Sequence, residues 1–178
     1  FSFRIPDASF NTTGQYVKHK SRKGVLLNKL KQIPQIQNIS LSKGAPTEHG
    51  WSMTMLNFSY KGKEMTFNAV HEKTADSNYI KLFNIQLLAG NNVQIDTGSK
   101  EYDILINETF LHQMGIQKPA DVLGLTIQNN NYKIVGVVKD FTTRSLHDPI
   151  TPAMIIADNG NSAYKMSIAL PSDPTAWK

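Results

Sequence analysis

The sequence predicts an α+β fold in which the two ends of the chain form an α/β part and the middle forms an inserted β-rich part. Helical periodicity is strongest at 18–33, between two strand-like segments. The middle of the chain consists mostly of short runs that are apolar or that alternate apolar and polar residues. Turns containing Gly, Pro or Asn separate these runs. A strand-like run at 166–170 follows that middle, and we expect it to rejoin the sheet of the first part.

Composition limits the classes of protein to which the chain can belong. Its 178 residues, 40% of them hydrophobic, can bury a core in one domain or two small subdomains. Since it has neither an apolar run of about eighteen residues nor a signal peptide, we expect an excised segment of a longer protein. The absence of Cys excludes disulfides and thiolate zinc sites, and suits an extracytoplasmic bacterial domain.

The net charge of +5 raises the question of an anionic partner. The densest basic patch, KHKSRK at 18–23, is better explained as the solvated start of a helix. Aromatic residues are not interleaved with the basic ones, as they are in single-strand binding grooves. We therefore expect no nucleic-acid partner.

The first elements follow from periodicity. The alternation of apolar and polar residues at 1–10 predicts a half-buried strand that ends at Pro6. The next helix should end before Pro34, because the residue preceding a proline disfavours the α conformation. A brief strand at 36–41 follows. The expected apolar stripe of the helix consists of Leu26, Leu30 and Ile33.

Residues 51–69 predict an antiparallel hairpin with one solvent-facing side. Alternation begins at Trp51 and changes phase at Leu56, which is typical of a β-bulge. Lys61 and Gly62 form the expected turn between the two strands.

Two short helices are expected later in the chain. Residues 76–83 predict a helical turn with Asp76 or Ser77 as its N-cap. Asn107 should cap a second helix, which stops at Gly115, a common residue after a helix end.

The longest strand-like run lies at 132–138, where β-branched residues predict a strand buried on both faces. It ends at Lys139 and Asp140 and leads into a polar loop with Phe141 in its middle. Further strands are expected at 85–88, 104–106, 125–127 and 154–157.

No complete catalytic motif occurs in the chain. His71 and Glu72 resemble the start of a zincin motif, but position 75 is not His, and a surface role is expected. No nucleophile elbow surrounds Ser145, so the loop that contains it is not expected to be catalytic. The residues that could suggest a hydrolase are Asp140, Arg144, Ser145, His147 and Asp148. No phosphate-binding glycine motif occurs, and no metal or cofactor is expected.

Several segments, taken in order, resemble the MacB-like periplasmic core domain of FtsX/MacB-type ABC transporter permeases, in a form close to that of Bacteroidetes. NYIKLFNIQLLAG at 78–90 is similar to the family's Y-x-x-L-F-x-I-x-L-L-A-G-R, with Asn91 in place of Arg. ILINET at 104–109 resembles V-L-I-N-E-T. VLG at 122–124 resembles x-x-I-G-K.

The fourth segment, IVGVVKDF at 134–141 followed by SLH at 145–147, resembles I-V-G-V-V-K-D-F-H-F-x-S-L-H. Thr142 stands where His is usual. The whole match covers roughly 26–156. It implies a porter-like α/β subdomain at 1–48 and 160–178, and a β-rich, sabre-like subdomain at 49–159.

The resemblance also implies a role. Such domains lie on the periplasmic side of the cell inner membrane, between two transmembrane helices, and a cytoplasmic ABC ATPase drives the permease. A second permease copy and a periplasmic partner protein are the further partners implied. The domain would be non-enzymatic and would transmit movement of the helices to a partner or cargo.

A contact or hinge role is expected for the loop after residue 138, because an apolar strand delivers Phe141 into polar surroundings. Packing of Phe141 into the core is the alternative. The loop residues singled out are Lys139, Asp140, Phe141, Arg144, Ser145 and Leu146. Two other functions stay open: an extracytoplasmic module that binds a small ligand or lipid, and a hydrolase that uses this loop.

Overall fold

The computed structural model describes residues 2–4, 23–48, 52–94, 101–127, 131–143, 147–158, 162–163 and 165–173. Several sequence predictions lie outside these residues: the end of the first strand at Pro6, most of the basic patch, the hairpin start at Trp51, the hairpin turn expected at Asn129 and Asn130 before the 132–138 strand, and the part of the predicted 160–178 segment after 173.

Within the described chain, ten strands form one sheet: β1 (Ser2–Arg4), β2 (Asn38–Ser42), β3 (Ser52–Tyr60), β4 (Lys63–Ala75), β5 (Leu87–Gly90), β6 (Tyr102–Asn107), β7 (Thr126–Ile127), β8 (Tyr132–Val138), β9 (Ala153–Ala157) and β10 (Lys165–Ala169). The order is β1-β10-β2-β4-β9-β6-β8-β5, with β3 beside β4 and β7 beside β8. The helices are α1 (23–31), α2 (Tyr79–Leu82), α3 (Glu108–Gln113) and the 3-10 turn Pro119–Val122. This is an α+β fold, as predicted.

The strand near the start of the chain and the strand near its end lie side by side. β1 is antiparallel to β10, with Ser2 opposite Ser167, and β10 is antiparallel to β2. The leucines of α1 pack on buried Ile39, Met166 and Ile168: Leu26, Leu27 and Leu30. The prediction that the last strand rejoins the first part is confirmed.

The predicted stripe of α1 is correct at two of its three positions. Leu26 and Leu30 pack on the sheet, but Ile33 is 42% exposed. The helix ends at residue 31, and Ile33 lies in the turn before Pro34. Ile33 therefore lies beyond the helix, and its side chain does not extend the apolar helical face that the spacing predicts.

The chain-end part joins the middle of the sheet where β2 meets β4. The two strands share one register pair, Ser42 opposite Ala75. The sheet therefore runs without a break across the predicted boundaries between 1–48, 49–159 and 160–178. The division into two subdomains stays a prediction.

Asp76, directly after β4, reinforces this junction. Its carboxylate accepts hydrogen bonds from the Ser40 hydroxyl at 2.7 Å and from the Leu41 amide at 2.8 Å. Burial raises the pKa of Asp76 above its ordinary value, and the charge of nearby Asp158 acts in the same direction.

The β3–β4 hairpin has the features that its sequence predicts. The register shifts between Thr54 and Leu56, which is the expected bulge. Lys61 and Gly62 both have positive φ, 49° and 77°, as a type I′ turn requires. Beyond the bulge, Leu56 and Phe58 are buried while their neighbours in sequence are exposed, so one side faces solvent.

The core lies around β9, β6 and β8, and the predicted burial of β8 is confirmed. α3 packs on one face of these strands through Phe110 and Leu111. Gly136 of β8 lies opposite Gly90 of β5, and a Cβ at Gly136 would lie 2.4 Å from the carbonyl oxygen of Asn91. The glycine in this otherwise β-branched run therefore allows two backbones to approach closely.

His71 contradicts the expected surface role, because it is buried, with 3% of its surface exposed. The hairpin strand does not end near Ala69 but continues to Ala75, as the thirteen-residue β4. His71 begins the segment of β4 that pairs with β9, opposite Ala153. Strand pairing on both sides of this segment encloses a residue that its local sequence places at the surface.

The predicted cap of α2 is also wrong. Asn78 occupies the N-cap position and makes no side-chain cap bond. Asp76 instead accepts a hydrogen bond from the Asn78 amide at 3.1 Å, two residues later. An Asx-type turn therefore precedes the helix.

Candidate functional site

The candidate contact loop begins where β8 ends. Lys139 is exposed, and its amide donates to the Gln86 carbonyl at 2.8 Å, which holds the start of the loop against the chain before β5. Asp140 and Phe141 follow, both half-buried. Arg144, Ser145 and Leu146 lie outside the described residues.

Asp140 ties the loop to the start of α3. Its carboxylate accepts from the Thr109 amide at 2.9 Å and from the Thr109 hydroxyl at 2.8 Å. Its own amide donates to the Glu108 carboxylate at 3.2 Å. A carboxylate at a helix N-terminus also interacts favourably with the helix dipole. Asp140 therefore binds the start of a helix about thirty residues earlier in the chain, rather than amides within its own loop.

Asn107 is the central residue of this network, and it is completely buried. Its Oδ1 accepts from the Phe110 amide at 3.1 Å, which confirms the predicted N-cap, and also from the Ala153 amide at 2.9 Å. Its Nδ2 donates to Asp140 at 2.8 Å and to the Thr151 carbonyl at 3.0 Å. One side chain thus joins α3, the loop and the start of β9.

The far end of the loop is anchored too. Thr143 is 4% exposed, and its hydroxyl lies 3.4 Å from that of Thr151. Residues 147–150 are exposed, and 42% of Ile150 is open to solvent. The described part of the loop therefore has a fixed base and an exposed outer segment. Sequence reasoning missed Thr109, Thr151 and Ile150, since no local pattern identifies partners so distant in the chain.

Phe141 packs against a buried cluster that includes Tyr79, Ile80 and Val138. The ring is half-buried, so it contributes to the core and also reaches the surface.

We expect Phe141→Ala to lower the free energy of unfolding by about 1–3 kcal/mol, less than a fully buried Phe would cost. Thermal melting followed by circular dichroism measures this loss. An unchanged melting temperature would contradict the packing role and favour a contact role for the ring.

Of the residues that could suggest a hydrolase, the structure describes three: Asp140, His147 and Asp148. The Asp140 carboxylate is engaged by Asn107 and Thr109, while His147 and Asp148 are exposed. The part of the chain that the structure describes has no group of three or more His, Cys, Asp or Glu able to hold a metal ion. None of its helices is long and apolar enough to cross a bilayer.

A second polar cluster lies where β4 meets the chain-end part of the sheet. Glu48 forms an ion pair with Lys165 and accepts from the Ala45 amide at 3.0 Å. These contacts lower the pKa of Glu48 although burial opposes them. Lys73, which is 1% exposed, lies beside this pair, and burial lowers its pKa to about 8. The charge of Glu48 partly offsets that effect, whereas Lys165 adds to it.

Searches with family models and among curated proteins find no match to this chain. Solved structures do match. The periplasmic region of MacB from Actinobacillus actinomycetemcomitans is 12% identical with a TM-score of 0.55, over 99% of this chain and 77% of that one. The chain has the fold of the MacB periplasmic domain.

The extracellular domain of the noncanonical ABC-type transporter YknZ from Gram-positive bacteria is 13% identical, with a TM-score of 0.52, over 99% of this chain and 85% of that one. A domain of a permease protein from Porphyromonas gingivalis is 17% identical with a TM-score of 0.48, over 84% and 69% of the two chains. MacB and YknZ agree with this chain in fold over almost all of its length, which confirms the MacB-like fold expected from the sequence motifs.

Proposed function

We propose that this chain is the periplasmic domain of an ABC transporter permease in the cell inner membrane, and that it transmits movement rather than catalysing a reaction. The observation that carries the proposal is the MacB-type fold with the chain ends paired in one sheet. Ser2 lies opposite Ser167 in an antiparallel pair, so the chain enters β1 and leaves β10 at the same end of the sheet. This arrangement suits a domain held between two membrane-spanning segments.

The continuous sheet supplies a route for force. Displacement of β1 and β10 would pass through β2 to β4, and then across β9 and β6 to β8 and the loop that follows it. Well-packed interiors transmit strain because they compress little. The proposed partners are a cytoplasmic ABC ATPase, a second permease copy, and a periplasmic protein that contacts the loop at Lys139–Leu146.

Location is tested by cysteine labelling, because these 178 residues contain no Cys that would compete with an introduced thiol. The unsubstituted full-length protein is the control for any Cys outside them. Lys61→Cys places a thiol in the exposed hairpin turn. In cells whose outer membrane is permeabilised, we expect a membrane-impermeant maleimide to label this variant of the full-length protein. Labelling that appears only after the inner membrane is lysed would contradict a periplasmic location.

Transmission is tested at the exposed surface of the loop. We expect Lys139→Glu combined with Ile150→Asp to leave the free energy of unfolding within about 0.5 kcal/mol, as for most surface substitutions. In the intact transporter, the periplasmic partner is expected to increase the rate of ATP hydrolysis. The same variant should reduce this increase several-fold. Lys61→Glu, at the hairpin turn, is the matched control. Equal stimulation in all three proteins would argue against a contact at this loop.

A further inference from the structure

An open cleft of about 400 Å³ lies at one end of the central strands, away from the contact loop. Its walls come from the ends of β4 and β9 and from the starts of β6 and β8, together with the chain before β10. The lining residues are Glu72, Thr74, Tyr102, Tyr132, Ile156, Ala157 and Ser162. Ile156 also belongs to the main core, so the cleft lies where the covered sheet face becomes open.

Two aromatic rings meet at this cleft. Tyr102 and Tyr132 are opposite each other in the parallel pair of β6 and β8. Their ring centroids lie 6.2 Å apart with an interplanar angle of 64°, which is an edge-to-face contact. Tyr102 is 48% exposed. Aromatic faces on an open cleft present negative quadrupole potential to a ligand.

Two carboxylates, those of Glu72 and Asp158, lie on the cleft lining or beside it. Glu72 is the one charged residue among the seven described lining residues. Burial raises the pKa of Tyr132, and the charge of Glu72 raises it further, so this carboxylate acts on the ring hydroxyl. Behind Ser162 lies the buried Asp158, whose Oδ1 accepts from the Ser162 amide and hydroxyl at 3.1 and 2.5 Å. Its Oδ2 has no hydrogen-bond partner among the described residues.

The geometry points to a binding site for a small organic cation, with an ammonium group held between Glu72 and the two tyrosine rings. The apolar part of the ligand lies on Ile156, whose side chain shares the sheet face of Ile104 and Ile134. The site is independent of the loop at Lys139–Leu146 and of the proposed transport role.

An organic cation fits this cleft better than a metal ion or a neutral ligand. Metal ions such as Ca²⁺ need several oxygen ligands, and the described lining residues supply a single carboxylate. Cation–π attraction is strongest for weakly hydrated ammonium groups and adds to the pull of a carboxylate. A neutral ligand could pack on the apolar floor and on the rings, but it would gain no charge attraction from the carboxylate or from the ring faces.

The test compares choline with 3,3-dimethyl-1-butanol, which has the same shape without the charge. Both are titrated into the 178-residue chain and followed by NMR of the Ile156 and Ala157 methyl groups and the two tyrosine rings. We expect choline to shift these resonances saturably at millimolar concentration or below. The neutral isostere should bind at least about fivefold more weakly, since fivefold corresponds to about 1 kcal/mol.

Variants identify the contacts that carry binding. Glu72→Gln should weaken choline binding about five- to tenfold, while the control Glu64→Gln, at the exposed start of the same strand, should not change it. Tyr102→Leu should weaken binding and Tyr102→Phe should retain it, because Phe keeps the aromatic face. Unchanged NMR dispersion verifies that each variant is folded.

Each result decides the proposal. Equal affinity for choline and 3,3-dimethyl-1-butanol would overturn it, because the cleft would then recognise apolar shape alone. So would a lack of saturable shifts with choline, or an affinity that Glu72→Gln leaves intact. Success or failure of the labelling and ATPase experiments has no bearing on these outcomes.

Discussion

Replacing Asn107 by Ala should lower the free energy of unfolding by about 3–5 kcal/mol. The Asn107 side chain makes four hydrogen bonds while completely buried. Truncation leaves the amides of Phe110 and Ala153 without their acceptor, and the Thr151 carbonyl without this donor. Each buried polar group that loses its partner costs about 1–3 kcal/mol. The change also removes the N-cap of α3.

Urea unfolding followed by circular dichroism measures the loss. Asn57→Ala is the matched control, because Asn57 is exposed on β3 and its Oδ1 accepts an exposed hydrogen bond from the Thr66 hydroxyl at 3.0 Å. We expect that control to stay within about 0.5 kcal/mol of the parent. A loss below about 1 kcal/mol for Asn107→Ala would show that water replaces its bonds, and that the loop base is not fixed as described.

Asn107→Asp tests the hydrogen bonds of this side chain separately from its packing, since Asp and Asn have nearly the same shape. At neutral pH it should destabilise the chain, because a second carboxylate replaces the donor that faces Asp140. The deficit relative to the parent should shrink as the pH falls and one carboxyl of the pair binds a proton. A deficit that does not depend on pH would rule out this charge repulsion.

Lys73 should make the stability of the chain rise with pH. Burial lowers its pKa from 10.5 to about 8, so the folded state binds its proton more weakly than the unfolded state does. Between these two values the unfolded state carries more protons, and stability therefore increases as the pH rises. With 1.36 kcal/mol per pKa unit, the gain between pH 7 and pH 9.5 is about 2 kcal/mol.

The measurement is the free energy of unfolding at several pH values for the parent and for Lys73→Met. We expect the parent to gain about 2 kcal/mol relative to the variant across this interval, because Met cannot titrate. Lys63→Met, at the exposed start of β4, is the control. We expect its free energy of unfolding to change with pH in the same way as that of the parent. Parallel curves for the parent and Lys73→Met would show that Lys73 is not shifted by burial.

Features governed by local conformation could be predicted from the sequence. Lys61 and Gly62 adopt the positive φ values of a type I′ turn, and the phase change near Leu56 is a bulge in the structure. Asn107 caps α3, and Gly115 follows its end with φ of 73°. In each case the preference acts within a few residues, so the residues that decide it are adjacent in the chain.

Burial of polar residues could not be predicted in this way. His71, Lys73 and Ser42 look like surface residues in their local pattern, yet each is less than 4% exposed. His71 and Lys73 are enclosed because β4 continues beyond its hairpin and pairs with β9, which lies about eighty residues later in the chain. Ser42 is enclosed on β2, where it lies opposite Ala75 at the end of β4. The same long-range pairing creates the cleft beside Glu72, whose aromatic wall comes from two other strands.

The sequence by itself determined the fold class, the hairpin with its bulge and turn, the cap at Asn107, and the motifs that indicate a MacB-like domain. Only the tertiary structure decided which distant residues come into contact: Asp140 with the start of α3, Lys73 with the Glu48–Lys165 ion pair, and Tyr102 with Tyr132 at the cleft that Glu72 also lines. The physical reason is the distance along the chain over which each effect acts. Backbone preferences act between neighbours in the chain, whereas desolvation and charge pairing depend on which distant strands the sheet brings together.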